Sequence, residues 1–300
     1  MNTDFFEINK LLYNKIQSGE PFSCLRIDNT CGYVLHCLYQ TNAIPSAEFC
    51  NDKIMLHIGV VPATSEYYLS TIMPKTFEVM KQCDILGFVD INNSLKTDKQ
   101  FLSNFPDKQM YFDYNVMDPG FLMGYSKLGT IETPWTESLR GKKVLVVSSH
   151  SNSIKYQWER IHSVWGGREN KITPFELVDV IRTPYHPELD DRQYPNCSNF
   201  MEMVEITQNI IDGYDYDVLL TGITTQSPFY AEHAKLRGKV GIQIGGSLQL
   251  FFGVVGNRWV QPWYSDCARM FNENWIWPMQ IDEPQKKHMI DSETGFAYWR

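Results

Sequence analysis

No apolar run in the 300-residue sequence approaches the roughly 18 residues needed to span a bilayer. The opening stretch, MNTDFFEINKLLYNK, lacks the basic, apolar and small-residue regions of a signal peptide, so a cytoplasmic protein is expected. Positive charge is also short. With 27 Lys and Arg against 35 Asp and Glu, the formal net charge is −8. That balance excludes a protein whose main partner is a nucleic-acid backbone or an anionic membrane, and any phosphate must be met by local groups. The seven cysteines, Cys24, Cys31, Cys37, Cys50, Cys83, Cys197 and Cys267, are odd in number and include no CxxC, which reads as reduced structural thiols. Cys31, His36 and Cys37 are the one close grouping, but adjacent residues on a helix point apart, so no zinc site is expected. No GxGxxG follows a predicted strand and no GxxxxGK[ST] occurs, which removes the dinucleotide and P-loop readings.

What is present is a large apolar content, 43% hydrophobic and 14% aromatic, enough for one extended domain over 1–300. Phe5, Ile8, Leu11, Leu12 and Ile16 fall at helical spacing before Gly19 and Pro21. Residues 22–27 read as a buried strand, followed by a helix from about Cys31 to Gln40. A helix interrupted at Pro74 is expected over 67–82, then a strand over 85–89. Residues 105–135 read as a loop. The second half alternates strands at 142–147, 177–181, 218–220 and 240–244 with helices at 153–165, 199–211 and 228–236. Short, continuously apolar strands separated by helices predict an α/β, Rossmann-like, mostly parallel sheet with helices on both faces.

In such sheets ligands gather at the C-terminal ends of the strands. The candidates there are small and polar. Asp28, Asn29 and Thr30 follow the first strand, where Asn29 or Thr30 serves equally as a helix cap. Ser149, His150, Ser151 and Asn152 follow the strand at 142–147, Thr221 and Gly222 the next, and Gly245 and Gly246 the last. Free backbone N–H groups and helix N-termini there suit a phosphate. His150 is either a donor to diphosphate or a general base, or else a hydrogen-bonded loop histidine. Arg258 beside Trp259 offers a guanidinium against an aromatic wall. Asp215-Tyr216-Asp217 spells a metal-binding DxD but precedes its strand, so it reads as a solvated turn, as does the run Glu188, Asp190 and Asp191. Five of the eight tryptophans, Trp259, Trp263, Trp275, Trp277 and Trp299, lie in the last 42 residues and read as packing of an aromatic-rich tail, 260–300, on the sheet.

The strings KKVLVVSSHSNSIKYQWERI, FELVDVIRTPYHP and YDYDVLLTGITTQSPFYAEHAKLRGKVGIQIGGSLQLFFGVVGNRW resemble the GT-D type glycosyltransferase domain, a family of bacterial polysaccharide and glycoprotein gene clusters. The likeness runs over 22–259, and its most specific element is GGxLQxxFGxxGxRW at Gly245 to Trp259. It implies a Rossmann-like fold and transfer of a sugar from a nucleotide-sugar donor to a glycan or glycoconjugate acceptor. Under that resemblance Arg26, Asn29, Ser149, Ser151, Asn152, Thr221, Gly222, Gly245, Gly246, Gln249 and Arg258 line the donor. Asp28 is the first choice of base and His150 the second. The family's Arg-x-Gly-Asp-Gly-Glu string reads Arg26-Ile27-Asp28-Asn29-Thr30-Cys31 here. Its D-x-E metal motif is therefore incomplete. Mn²⁺ or Mg²⁺ would have Asp28 as its one protein carboxylate, with donor phosphates supplying further oxygens, which puts metal dependence in question. A non-catalytic nucleotide-sugar or glycan-binding protein is the alternative.

Overall fold

A computed structural model of the chain describes residues 5–27, 31–32, 34, 37, 59–88, 99–112, 125–126, 129–130, 133–166, 174–184, 197–223, 225–261, 270–285 and 298–299. Helix α1 (Phe5–Ser18) leads into β1 (Phe22–Ile27). One helical turn (Ser65–Tyr67) and a π-turn (Tyr68–Ile72) precede α2 (Met73–Gln82). Pro74 stands in the first turn of α2, where its missing N–H costs the ladder least, so the expected interruption is a widened turn. Strand β2 (Ile85–Phe88), helix α3 (Lys99–Leu102) and strand β3 (Gln109–Phe112) follow, then a two-residue antiparallel pair, β4 (Tyr125–Ser126) with β5 (Gly129–Thr130).

The rest of the described chain alternates as its pattern predicts. Strand β6 (Lys143–Ser148) is followed by α4 (Ser151–Trp158) and α5 (Ile161–Val164), and β7 (Glu176–Arg182) by α6 (Phe200–Ile211). Then come β8 (Val218–Thr221), α7 (Ser227–Leu236), β9 (Val240–Gln243) and α8 (Ser247–Phe251). Seven strands form one sheet in the order β3-β2-β1-β9-β8-β6-β7, and every pairing in it is parallel. The fold is α/β and Rossmann-like.

Alternation along each strand divides the core. Phe22, Cys24, Val144, Val146, Val218, Leu220, Val240 and Ile242 share a cluster with side chains of α1, α4, α5 and α8 and with Trp275 of the C-terminal segment. Leu25, Ile27, Leu145, Val147 and Leu219 face the opposite way, into α2, α6 and α7. Burial on both faces is what permits continuous apolar strands. On the second face Gly241 is obligatory by space: a Cβ there would lie 1.9 Å from the Ala231 carbonyl oxygen, so α7 rests backbone to backbone on β9.

Two expectations need correcting. The stretch 105–135 is not all loop, since Gln109–Phe112 pairs with β2 as an edge strand. The helix expected over 153–165 starts earlier, at Ser151, and breaks at Arg160, whose φ of −126° and ψ of 21° leave helical geometry. Trp259, Trp275 and Trp299 are buried, Trp277 packs on the same cluster, and Trp275 donates its indole N–H to the Val164 carbonyl at 2.8 Å. Trp263 lies outside the described residues. Cys24, Cys31, Cys37 and Cys83 are buried free thiols and Cys197 is a half-buried one. Burial pushes the Cys83 thiol far above its ordinary range, which suits an inert role. No helix among the described residues is long and apolar enough to cross a membrane.

Candidate functional site

Because β6, β8 and β9 are parallel neighbours, the loops after them open on one edge, with the end of β1 beside β9. The helix after β6 covers one face and the helix after β8 the other. Adjacent strands whose crossovers leave to opposite faces create a crevice between their C-terminal ends, the place where open α/β sheets hold ligands.

The β6 mouth is built around an internal anion. Ser151 and Asn152 form the first turn of α4, and the carboxylate of Asp282 sits on it. Asp282 Oδ1 accepts from the Asn152 backbone N–H at 3.1 Å and from its side-chain amide at 2.8 Å. Asp282 Oδ2 accepts from the Ser153 N–H at 2.7 Å and its hydroxyl at 2.6 Å. A carboxylate at a helix N-terminus meets both the orphan N–H groups and the positive end of the dipole. This turn, expected to offer its N–H groups to donor phosphate, spends them on the chain's own tail.

His150, just before α4, is buried. Its Nε2 lies 3.2 Å from the Tyr298 carbonyl oxygen and its ring meets Trp299 edge-on, 4.3 Å between centroids at 83°. A carbonyl can only accept, so Nε2 carries the proton and the basic Nδ1 faces the Ser149 hydroxyl at 3.4 Å. Burial, helped by the nearby Arg182 charge and opposed by Asp282 and the Tyr298 carbonyl, pulls the imidazole pKa down to about 4. His150 is thus neutral at pH 7, with its lone pair turned inward.

The β9 mouth is more open in composition. Gly245 has φ +70°, a left-handed conformation that glycine adopts without strain, and a Cβ there would stand 2.9 Å from Arg26 Nη1. Arg26, near the end of β1, therefore lays its guanidinium along the Gly245 backbone. Its own N–H donates to Gln243 Oε1 at 3.0 Å, which ties the two strand ends together. A Cβ on Gly246 would lie 2.7 Å from Tyr298 Cε1. The Tyr298 hydroxyl accepts from Arg258 Nη1 at 2.7 Å, and the guanidinium carbon stands 4.9 Å from the tyrosine ring against 5.9 Å from Trp259. The aromatic wall beside Arg258 is Tyr298 more than Trp259.

Other predicted residues serve the scaffold. Thr221 is buried with its hydroxyl 3.1 Å from Ser227, which in turn accepts from the Ile223 N–H at 2.7 Å. Gly222 extends the ladder by donating to the Val147 carbonyl at 3.2 Å. Gln249 is buried and donates to the Val254 carbonyl at 3.2 Å, closing the turn after α8. Asn152 is committed to Asp282. The Thr221 and Gln249 side chains are buried, while Asn152 and Gly222 are half-buried. Asp28 and Asn29 lie outside the described residues, as do Glu188, Asp190 and Asp191.

Asp215 and Asp217 stand at the opposite edge. Asp215 pairs with Lys143 at 2.7 Å and Lys239 at 3.8 Å, while Asp217 accepts from the Lys143 N–H at 2.9 Å. Among the described residues no three His, Cys, Asp or Glu side chains converge on a metal-sized site. Three residues of the site edge escaped the sequence reading: Arg182, Asp282 and Tyr298. Arg182 carried a signal, because like Arg26 it is a cation at the C-terminal end of an apolar strand. The other two arrive from the tail and carry none. No protein-family model, curated protein or solved structure matches the chain.

Proposed function

We propose that the chain is a glycosyltransferase that takes a nucleotide-sugar donor at the C-terminal edge of its sheet and passes the sugar to a glycan or glycoconjugate hydroxyl. The observation that carries this reading is the β9 mouth, where the half-buried Gly245-Gly246 turn lies against the Arg26 guanidinium on one side and, on the other, the Tyr298 ring to whose hydroxyl Arg258 donates. Guanidinium groups beside glycine backbone suit a diphosphate. The same string, Gly245 to Trp259, is the part of the sequence that most resembles the GT-D type family. With the α4 N-terminus already holding Asp282, the donor's phosphates fall to the β1 and β9 side of the crevice. Stabilising the departing diphosphate there supplies the main electrostatic help. The acceptor proton goes to Asp28, the carboxylate that follows β1 in sequence, since His150 points its basic nitrogen inward.

One observation favours a second reading, a protein that binds a nucleotide-sugar without turning it over: His150 is sealed beneath Trp299 and the Tyr298 carbonyl. A thermal-shift screen of nucleotides and nucleotide-sugars, with S-adenosylmethionine as control, run beside donor hydrolysis with and without Mn²⁺, separates the two. Transfer or hydrolysis supports the enzyme. Stabilisation by a nucleotide-sugar without product supports the binding protein, and stabilisation by neither class removes both.

A further inference from the structure

The Tyr298-Trp299 pair touches the mouth at three places at once. From β6, His150 receives the Trp299 ring edge and bonds the Tyr298 carbonyl. From β9, Gly246 packs on the Tyr298 ring. Beyond α8, Arg258 donates to the Tyr298 hydroxyl, and the Asn257 N–H donates to the Trp299 carbonyl at 3.1 Å. Of these, Gly246 and Arg258 are groups that the proposed function assigns to the donor, and His150 and Asn257 flank them. What the dipeptide presents to them, a planar ring, an oxygen on a guanidinium and a carbonyl acceptor, is also the chemistry that a nucleoside diphosphate presents.

The two tail contacts differ in kind. Asp282 is buried and held by four hydrogen bonds to a single helix end, which makes it an anchor. Trp299 is buried against the His150 ring but Tyr298 is only half-buried, and the Tyr298 side chain reaches the mouth through a hydroxyl and a ring face that a ligand oxygen and base could replace one for one. We infer that Tyr298 and Trp299 form a releasable strap across the mouth, competing with the nucleotide half of the donor while Asp282 keeps the tail attached. The inference rests on the nucleotide-sugar reading of the same edge.

Its test uses the full chain, with UDP, GDP and inorganic pyrophosphate titrated calorimetrically into the wild type, Tyr298→Phe and Trp299→Ala. Removing a strap that is closed about nine-tenths of the time tightens apparent affinity about tenfold, since only the open fraction binds. Trp299→Ala should show that gain and Tyr298→Phe a smaller one in the same direction. Because loss of a buried indole can unfold the chain, Tyr298→Phe, nearly isosteric, carries the argument if Trp299→Ala melts early. In parallel, diethyl pyrocarbonate labelling of His150 in the wild type, read by peptide mass spectrometry, should proceed under native conditions and slow when UDP or GDP replaces the strap over the ring.

Unchanged or weaker nucleotide binding in a well-folded Tyr298→Phe would make Tyr298 a fixed wall of the site and overturn the strap, leaving the donor reading intact. Labelling of His150 only at the rate of global unfolding would overturn it as well. Binding of none of the three probes to any of the proteins would instead remove the nucleotide reading, and the competition with it.

Discussion

The two ends of the parallel sheet use charge in opposite ways. At the N-terminal end, acids and bases meet in solvent: Asp215 with Lys143 and Lys239, Asp84 with Lys235 at 3.1 Å, and Asp212 with Arg237 and His233. Hydrogen bonds from Arg237 and Lys143 hold the Asp212 and Asp215 carboxyls, respectively, below their ordinary range. At the C-terminal end Arg26 and Arg182 stand near the ends of β1 and β7, Arg258 donates to the Tyr298 hydroxyl, and a carboxylate, Asp282, is fixed inside a helix cap. Exposed pairs in water contribute little, because solvent screens them and long side chains lose entropy on pairing. Buried charges are costly to leave unmatched. The same residue types therefore do different work at the two ends, and substitutions should be felt at one and scarcely at the other.

The largest effect should come from Asp282→Ala. It strands two backbone N–H groups, an amide and a hydroxyl at a buried helix start, and should lower unfolding free energy by about 3 kcal/mol in urea titrations. A loss no larger than that of a surface substitution would break the contrast between the two ends.

Next in size is a pH effect. His150 takes up a proton near pH 6.5 when unfolded but only near 4 when folded, so between those values the unfolded chain binds more protons. Its contribution is complete above pH 6.5 and is lost as pH falls towards 4, in total about 3 kcal/mol as an upper figure. His150→Gln should flatten the fall of the urea midpoint across that window. Parallel wild-type and variant curves would show that His150 does not carry it.

A smaller effect is expected on binding. Arg258→Gln and Arg26→Gln should each weaken nucleoside diphosphate affinity about tenfold, or roughly 1.4 kcal/mol, by calorimetry, with melting temperature nearly unchanged. The smallest is at the other end. Asp215→Asn, removing a fully exposed partner of Lys143, should leave both melting and nucleotide binding where they were. A clear shift in either would mean that the N-terminal end is more than a solvated rim.

Much of the sheet was legible because a parallel strand covered on both faces must be continuously apolar over a few residues. KVLVVS, VLLT and VGIQ announce themselves that way, and Gly245-Gly246 marks a close backbone approach. Strand β3 was missed because QMYF is neither a clean apolar run nor an alternation, as an edge strand need not be. The break at Arg160 was missed because nothing between Ser153 and Trp165 is a helix breaker. Packing of Trp158 on Phe175, 4.3 Å between centroids, and the Trp165 indole N–H on the Phe251 carbonyl hold the two segments in place.

The sequence by itself determined the α/β class, the edge at which the candidate loops gather, and the reading of Asp215 and Asp217 as belonging to the far edge, since each follows from local periodicity and from which side of a strand a residue stands on. Only the tertiary structure decided which of the candidate groups remain available to a ligand. Asp282 lies 130 residues from Asn152 and Tyr298 148 residues from His150 along the chain. Neither stands in a pattern that periodicity can detect, because a cap supplied from the tail obeys the geometry of the folded edge and not the spacing of the residues it meets.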